Sequence, residues 1–193
     1  MEKQLDLSKQ EISLKEKKEA FLNLILSKTY PKGMNKYKRV PVSPIRYAGG
    51  KSLAVGHILE LLPTNINRVI SPFFGGGSVE ISISKYLDLE VIGFDIFDIL
   101  CNYWKFQVEN PKLLYEKLKE IPPTFEKFEE IRKILTKVWK TKQGQITDTK
   151  EMVELDPLTL AVYYVYNFNK IPTKNHNSNN SVCINHNAQC MQD

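Results

Sequence analysis

The feature that most constrains this chain is a pair of apolar runs joined through a glycine cluster. "NRVISPF" runs into "FGGGSVE", where Gly75 to Gly77 precede a segment with helical spacing. "LEVIGFD" is a second apolar run, and it ends at Asp95. A strand, a glycine turn, a helix and a strand in this order form a βαβ unit with parallel strands. The sequence therefore predicts an α/β fold with a parallel sheet covered on both faces.

The glycine cluster and Asp95 also predict a site for a ligand that contains adenosine. Glycines between a strand and a helix let the backbone approach a ligand closely, and the helix N-terminus offers amide donors. Asp95 follows Gly75 by twenty residues, where an acid can accept hydrogen bonds from ribose hydroxyls. Glu80 occupies the position of the third glycine of a dinucleotide fingerprint, which argues against NAD. A simple β-to-α turn with a surface aspartate is the plainer alternative.

The segment "RYAGGKS", residues 46–52, ends as a phosphate-binding P-loop does. A P-loop has a leading glycine, then four residues, then Gly-Lys, and Ile45 occupies the leading position here. Two prolines in "KRVPVSP" make a poor central strand before it. However, "VIGFD" can pass for an apolar strand that ends in a Mg²⁺-linked Asp. A P-loop-like ATP-binding protein is therefore the second hypothesis.

An N-terminal helix and a linker are predicted for residues 1–42. Ser13 and Glu16 make a capping-box pattern for a helix within residues 8–28. The apolar stripe of that helix contains Phe21, Leu22, Leu24 and Ile25. Three prolines and a glycine in "YPKGMNKYKRVPVSP" then predict an irregular linker.

A helical insert is predicted for residues 109–167, after an α/β core of residues 43–108. Residues 105–150 hold eleven Lys/Arg against seven acids, a balance that suits a polyanion such as DNA. Solvated lysine-rich helices are the plainer alternative. A last helix begins at Pro157 with Asp156 as its N-cap. One apolar face of the helix before it contains Phe125, Phe128, Ile131, Leu135, Val138 and Trp139.

Composition predicts a soluble, cytoplasmic protein. Apolar residues make up 42% of the chain and charged residues 25%, and no apolar run approaches the ~18 residues of a membrane span. The polar N-terminus is neither a signal peptide nor a transit peptide. The three cysteines are odd in number and lack metal-ligand spacing, so no metal is expected. Residues 168–193 are rich in Asn and lack periodicity, and we expect them to stay disordered.

"RYAGGK", "SPFFGGGSVE" and "GFDI", in this order, resemble the N-terminal half of an adenine-specific DNA methyltransferase of the Dam-like, D12 class. The resemblance covers about residues 43–167. It implies a Rossmann-like methyltransferase core, S-adenosyl-L-methionine as cofactor and methylation of the exocyclic amine of adenine. Because the resemblance ends before most strands of that core, we expect an incomplete sheet with uncovered strand edges. It also implies double-stranded DNA as partner and a restriction–modification system with a cognate endonuclease. Two positions depart from the family pattern. Ser71 replaces an acid, which is expected to weaken contacts to the amino group of the cofactor, and Phe97 replaces an Asn.

The resemblance implies eight cofactor-binding residues. Tyr47 would pack against the cofactor, and Lys51 would pair with the carboxylate of its methionine part. Asp95 would hold the ribose, and Ile96 would lie against the adenine. The turn under the cofactor would consist of Phe74, Gly75, Gly77 and Ser78. A core aromatic and a solvated lysine are the plainer alternatives for Tyr47 and Lys51.

The catalytic motif of the family, Asp-Pro-Pro-Tyr or an Asn/Ser-Pro-Pro variant, does not occur in the 193 residues. In the family this motif accepts the hydrogens of the target amine and stacks on the flipped base. "DPLT" at Asp156 has one proline and no tyrosine, and is interpreted as a helix cap. We therefore assign no catalytic residue and expect a truncated or frame-shifted enzyme, inactive alone, with a non-native tail after residue 167. A non-catalytic DNA-binding fragment is the third hypothesis.

Overall fold

A computed structural model of the protein describes residues 12–28 and 36–168. The predictions for residues 1–11, for linker residues 29–35 and for the tail after Phe168 fall outside these residues. No described helix is both long and apolar enough to cross a membrane. The elements in chain order are α1 (Leu14–Ile25), α2 (Val55–Leu61), β1 (Arg68–Ser71), α3 (Ser78–Leu87), β2 (Glu90–Gly93), α4 (Asp98–Glu109), α5 (Pro111–Lys119), α6 (Phe125–Lys142) and α7 (Pro157–Phe168).

The central βαβ unit confirms the predicted α/β class. β1 and β2 pair in parallel, with Arg68 opposite Glu90 and Ser71 opposite Gly93, and α3 connects them. Residues of β1 are alternately exposed and half-buried, and Ile70 is 64% exposed. The expectation that both faces are covered is therefore wrong for the described residues. A sheet of two strands here packs one face and leaves the other open.

The chain forms two compact units whose segments alternate in sequence. The first unit contains the described residues up to Ser43, Lys51–Ser71 and Gly77–Gly93. Val69 of β1 and Val91 of β2 pack against the buried core of this unit. That core consists of Phe21, Ile25, Tyr37, Val40, Val55, Leu59, Ile83, Leu87 and Leu89. The predicted domain limits at residues 43, 109 and 168 stay a prediction.

The capping box of α1 is confirmed. The hydroxyl of Ser13 accepts from the backbone N–H of Glu16 at 3.3 Å, and the Glu16 carboxylate accepts from the backbone N–H of Ser13 at 2.9 Å. α1 buries Phe21 and Ile25, whereas Leu24 is 69% exposed. The predicted stripe was therefore too wide, because Leu24 lies off the face that Phe21 and Ile25 share.

The end of the predicted linker is part of the core. Tyr37 is 4% exposed, and its backbone forms an antiparallel bridge with Leu26. Its ring lies so close to Gly56 of α2 that a Cβ there would be 2.3 Å from the Tyr37 Cγ. The prolines and glycine predicted an irregular backbone here, but the buried side chain of Tyr37 packs this segment against α2.

The second unit contains Pro44–Gly50, Pro72–Gly76 and the described residues from Phe94 onward. α7 packs on α4, α5 and α6, and its Tyr164, Val165 and Ala161 are buried. α6 buries Phe128, Ile131 and Val138 of its predicted apolar face, while Trp139 is 38% exposed.

The N-cap of α7 is confirmed. The carboxylate of Asp156 accepts from the backbone N–H of Thr159 at 3.0 Å. Hydrogen bonds from Thr159 lower the pKa of Asp156, and the bond from the Thr159 side chain has a larger effect than the bond from its backbone. Asp156 thus has the structural role predicted for it rather than a catalytic one.

Candidate functional site

The glycine turn of the second unit is tied to the residues that follow β2. The backbone N–H of Phe74 donates to the carbonyl of Phe94 at 2.8 Å. The next N–H, of Gly75, donates to the carboxylate of Asp95 at 2.8 Å. The turn and Asp95, twenty residues apart in sequence, therefore meet. Their binding of an adenosine ligand stays a prediction.

Asp95 uses both carboxylate oxygens within the second unit. Oδ2 accepts from Gly75, and Oδ1 accepts from the backbone N–H of Phe97 at 3.0 Å. Phe97 is the N-cap of α4, so Asp95 connects the turn to the start of this helix. A carboxylate offers about four lone-pair sites, so both oxygens can still accept a ligand hydroxyl.

Tyr47 lies against the glycine turn. A Cβ added at Gly75 would be 3.2 Å from Cε1 of Tyr47, and Gly75 has a φ of +52°. Glycine is favoured here for two reasons, the left-handed backbone and the close approach of the Tyr47 ring. The ring of Tyr47 also stacks on Phe168, with ring centroids 6.3 Å apart and planes at 17°. Tyr47 is thus partly a core aromatic, which was the plainer of its two predicted roles, and its ring also packs against the glycine turn.

Trp104 is a residue of this turn that sequence reasoning missed. Its Nε1–H donates to the carbonyl of Gly75 at 2.9 Å, and its ring packs edge-on against Phe74 at 5.0 Å. Trp104 lies 29 residues after Gly75 on α4, and no local pattern links them. The one available signal was that a half-buried indole N–H needs an acceptor.

Large apolar side chains are exposed around the turn of the second unit. Ile96, which the resemblance placed against adenine, is 96% exposed, and Phe73 is 82% exposed. Phe94 is 57% exposed. Exposed apolar groups gathered near convergent polar atoms are typical of ligand-binding surfaces. A glycine cradle, a carboxylate with acceptor capacity and exposed apolar groups suit a nucleoside with a flat base.

The remaining predicted residues, Lys51, Gly77 and Ser78, belong to the first unit. Gly77 has a φ of +68° and is the N-cap of α3. Ser78 is buried, and its carbonyl accepts from the hydroxyl of Ser82 at 2.6 Å. Lys51 is exposed, and its carbonyl accepts from the N–H of Ala54 at 2.8 Å.

The P-loop alternative gains no support from the first unit. The hydroxyl of Ser52, which a P-loop would use for Mg²⁺, accepts from Nε of Arg39 at 3.0 Å, and Ser52 is buried. Among the described residues, no strand lies directly before the loop, and the helix that follows it, α2, has only seven residues.

Ser71 ends β1 and carries a feature that the sequence did not predict. Its hydroxyl donates to Oε1 of Glu80 at 2.6 Å. Glu80 lies in the first turn of α3. A carboxylate is thus present beside the position at which the family pattern has its acid.

No curated protein sequence matches this chain. The family model described as D12 class N6 adenine-specific DNA methyltransferase matches residues 47–189. The match begins at Tyr47 and includes all eight predicted cofactor residues. It also continues past residue 167, the end of the resemblance in the motifs. Since the matched region spans more than half of the 193 residues, the chain belongs to the D12 class N6 adenine-specific DNA methyltransferase family.

Proposed function

We propose that this chain provides the S-adenosyl-L-methionine-binding part of an enzyme that methylates the exocyclic amine of adenine in DNA. The family makes it a methyltransferase with DNA as its substrate. The observation that carries the cofactor proposal is the arrangement of Tyr47, Gly75 and Asp95, in which an aromatic ring and a carboxylate contact the same glycine turn.

The proposed roles follow the chemistry of the side chains. In the second unit, Asp95 accepts from the ribose, Ile96 covers the adenine, and Tyr47 with Phe74 and Gly75 forms the supporting wall. In the first unit, Lys51 pairs with the carboxylate of the methionine part, and Gly77 with Ser78 begins α3. The bound cofactor supplies a methyl group on a positively charged sulfur. The parallel β1–α3–β2 unit supports a Rossmann-like core, because such a core is built from parallel βαβ units. Sheets of this kind bind ligands at the C-terminal ends of their strands.

We further propose that one face of α6, formed by Lys133, Lys137 and Lys140, contacts the DNA phosphates. Lys133, Lys137 and Lys140 are exposed and share one helix face. None of them forms an ion pair within the described part of the chain, whereas the other basic residues of α6 pair with acids, Lys127 with Glu130, Arg132 with Glu129 and Lys142 with Asp98. A lysine that forms no ion pair can neutralise a phosphate without losing a contact to an acid of the protein.

Methyl transfer by the 193 residues alone is not expected, because they contain no Asp-Pro-Pro-Tyr motif to accept the hydrogens of the amine. A place in a restriction–modification system belongs to the same proposal. The test is calorimetric titration with S-adenosylmethionine, beside transfer of a labelled methyl group to mixed DNA. Binding without transfer supports the proposal. Absence of cofactor binding contradicts it, and transfer would show that catalytic residues other than this motif are present.

A further inference from the structure

Glu80 lies in the first turn of α3, where the helix dipole favours a carboxylate, but most of its hydrogen-bonding capacity is unused. Its side chain is half-buried, and Oε1 accepts a hydrogen bond from Ser71 at 2.6 Å. No cation pairs with Glu80 among residues 12–28 and 36–168. Partial burial of a carboxylate without a cation is unfavourable, whereas one hydroxyl donor leaves most of its acceptor capacity unused.

The place of Glu80 in the first unit is also informative. Ser71, which holds its carboxylate, is the last residue of β1. Ligands of parallel α/β sheets bind beyond the C-terminal ends of the strands. The cationic partner of Glu80 can therefore come from a ligand.

We propose that Glu80 binds the ammonium group of the amino-acid part of the cofactor, with Ser71 as the residue that positions its carboxylate. This inference rests on the proposed binding of S-adenosylmethionine. It also accounts for the departure at position 71, because the negative charge that the strand end lacks is provided from α3.

The proposal predicts discrimination between ligands that differ only at the amine. An amine-bearing ligand gains a charge-assisted hydrogen bond with Glu80, and a ligand with hydrogen in its place does not. Such a contact is worth roughly tenfold in affinity at a partly solvated site.

The experiment titrates S-adenosylhomocysteine, and its analogue with hydrogen replacing the amino group, into wild type and Glu80→Gln. Gln keeps the length of the side chain and can still accept from Ser71, so the fold is retained. We expect Glu80→Gln to bind S-adenosylhomocysteine roughly tenfold more weakly and to bind the analogue as wild type does. Equal losses for both ligands, or no loss for either, would overturn the proposal.

Glu90→Gln is the matched control. Glu90 is the first residue of β2 and pairs with Arg68 at 2.6 Å, so this change removes the same charge at the opposite end of the strands. It should leave both affinities unchanged, and an effect equal to that of Glu80→Gln would show a general charge effect and contradict the proposal. If Glu80→Gln unfolds, Ser71→Ala replaces it, with a loss of roughly threefold for the amine-bearing ligand alone. Wild type that binds neither ligand would overturn the proposed function itself, so the two failures are distinguishable.

Discussion

The indole of Trp104 donates a hydrogen bond of 2.9 Å to the carbonyl of Gly75. On the other side of the same residue, the N–H of Gly75 donates to Asp95. The peptide groups around this glycine are thus fixed by two side chains from distant parts of the sequence. The turn is thus held by contacts within the protein, which reduces the ordering cost of binding.

Replacing Trp104 by Phe should loosen the turn, because Phe keeps the packing against Phe74 but cannot donate to Gly75. We expect a loss of about 1 kcal/mol in the free energy of unfolding and weaker S-adenosylmethionine binding. Trp139→Phe is the control, because Trp139 packs on Phe97 but has no hydrogen bond to the turn. Urea unfolding and calorimetry measure both effects, and equal affinities in the two variants would contradict the prediction.

Replacing Gly75 by Ala should damage the site in two ways. The positive φ is unfavourable for alanine by about 1–2 kcal/mol, and the new Cβ would contact Tyr47 at 3.2 Å. Gly144→Ala separates these effects, because Gly144 has a φ of +66° but nothing within 4 Å of its added Cβ. Both variants should lose stability, and only Gly75→Ala should lose cofactor affinity. A similar affinity loss in Gly144→Ala would refute the role given to the contact.

Replacing Tyr164 by Phe should leave the protein as stable as before or stabilise it. Its hydroxyl is buried and has no hydrogen-bond partner among the described residues, a situation that costs about 1–3 kcal/mol. Tyr103→Phe is the comparison, because the hydroxyl of Tyr103 donates to Gln107 at 3.2 Å. Chemical unfolding at neutral pH should rank Tyr164→Phe above Tyr103→Phe.

The same two tyrosines predict sensitivity to alkaline pH. Burial raises the pKa of Tyr103 and of Tyr164, and nearby groups add to the effect. The unfolded chain then loses these protons first, so stability is complete below about pH 10 and falls as pH rises above it. A series of melting temperatures from pH 8 to 11 should decline less steeply in the double Phe variant. An unchanged slope would contradict this assignment.

Removing the α7 cap should cost stability only where Asp156 is ionised. The pKa of Asp156 is lowered by its hydrogen bonds with Thr159, so the cap is complete above its unfolded value of about 3.9 and is lost as pH falls through the lower folded value. Asp156→Ala should lose about 1 kcal/mol at pH 7, and the difference should shrink below pH 4. Asp156→Asn, a cap that does not titrate, should show little loss at pH 7.

A triple variant in which Gln replaces Lys133, Lys137 and Lys140 should bind DNA more weakly at low salt. Each lost phosphate contact reduces the salt slope of the binding constant by about one. The control replaces Lys117, Lys119 and Lys127, which pair with Glu120, Glu116 and Glu130. Fluorescence anisotropy at several salt concentrations measures the slopes, and equal slopes in the two triple variants would show that this face of α6 is not the contact.

The sequence by itself determined the elements and their local chemistry. Two apolar runs and a glycine cluster predict β1, α3 and β2, because hydrophobic periodicity and turn residues influence the backbone over only a few positions. The caps at Ser13 and Asp156 were also predictable from the sequence, since a capping side chain accepts from a backbone N–H only three residues later. The order of two glycine-rich motifs and "GFDI" also indicated the family.

The tertiary structure decided which of these residues meet. Trp104 on the turn, Glu80 beside Ser71, and Tyr37 against Gly56 all join residues that are distant in sequence or lie in different elements. It also decided exposure, which periodicity misjudged at Leu24 and Ile70. The physical reason is that burial and electrostatic partners depend on packing between elements, and a local pattern contains no record of that packing.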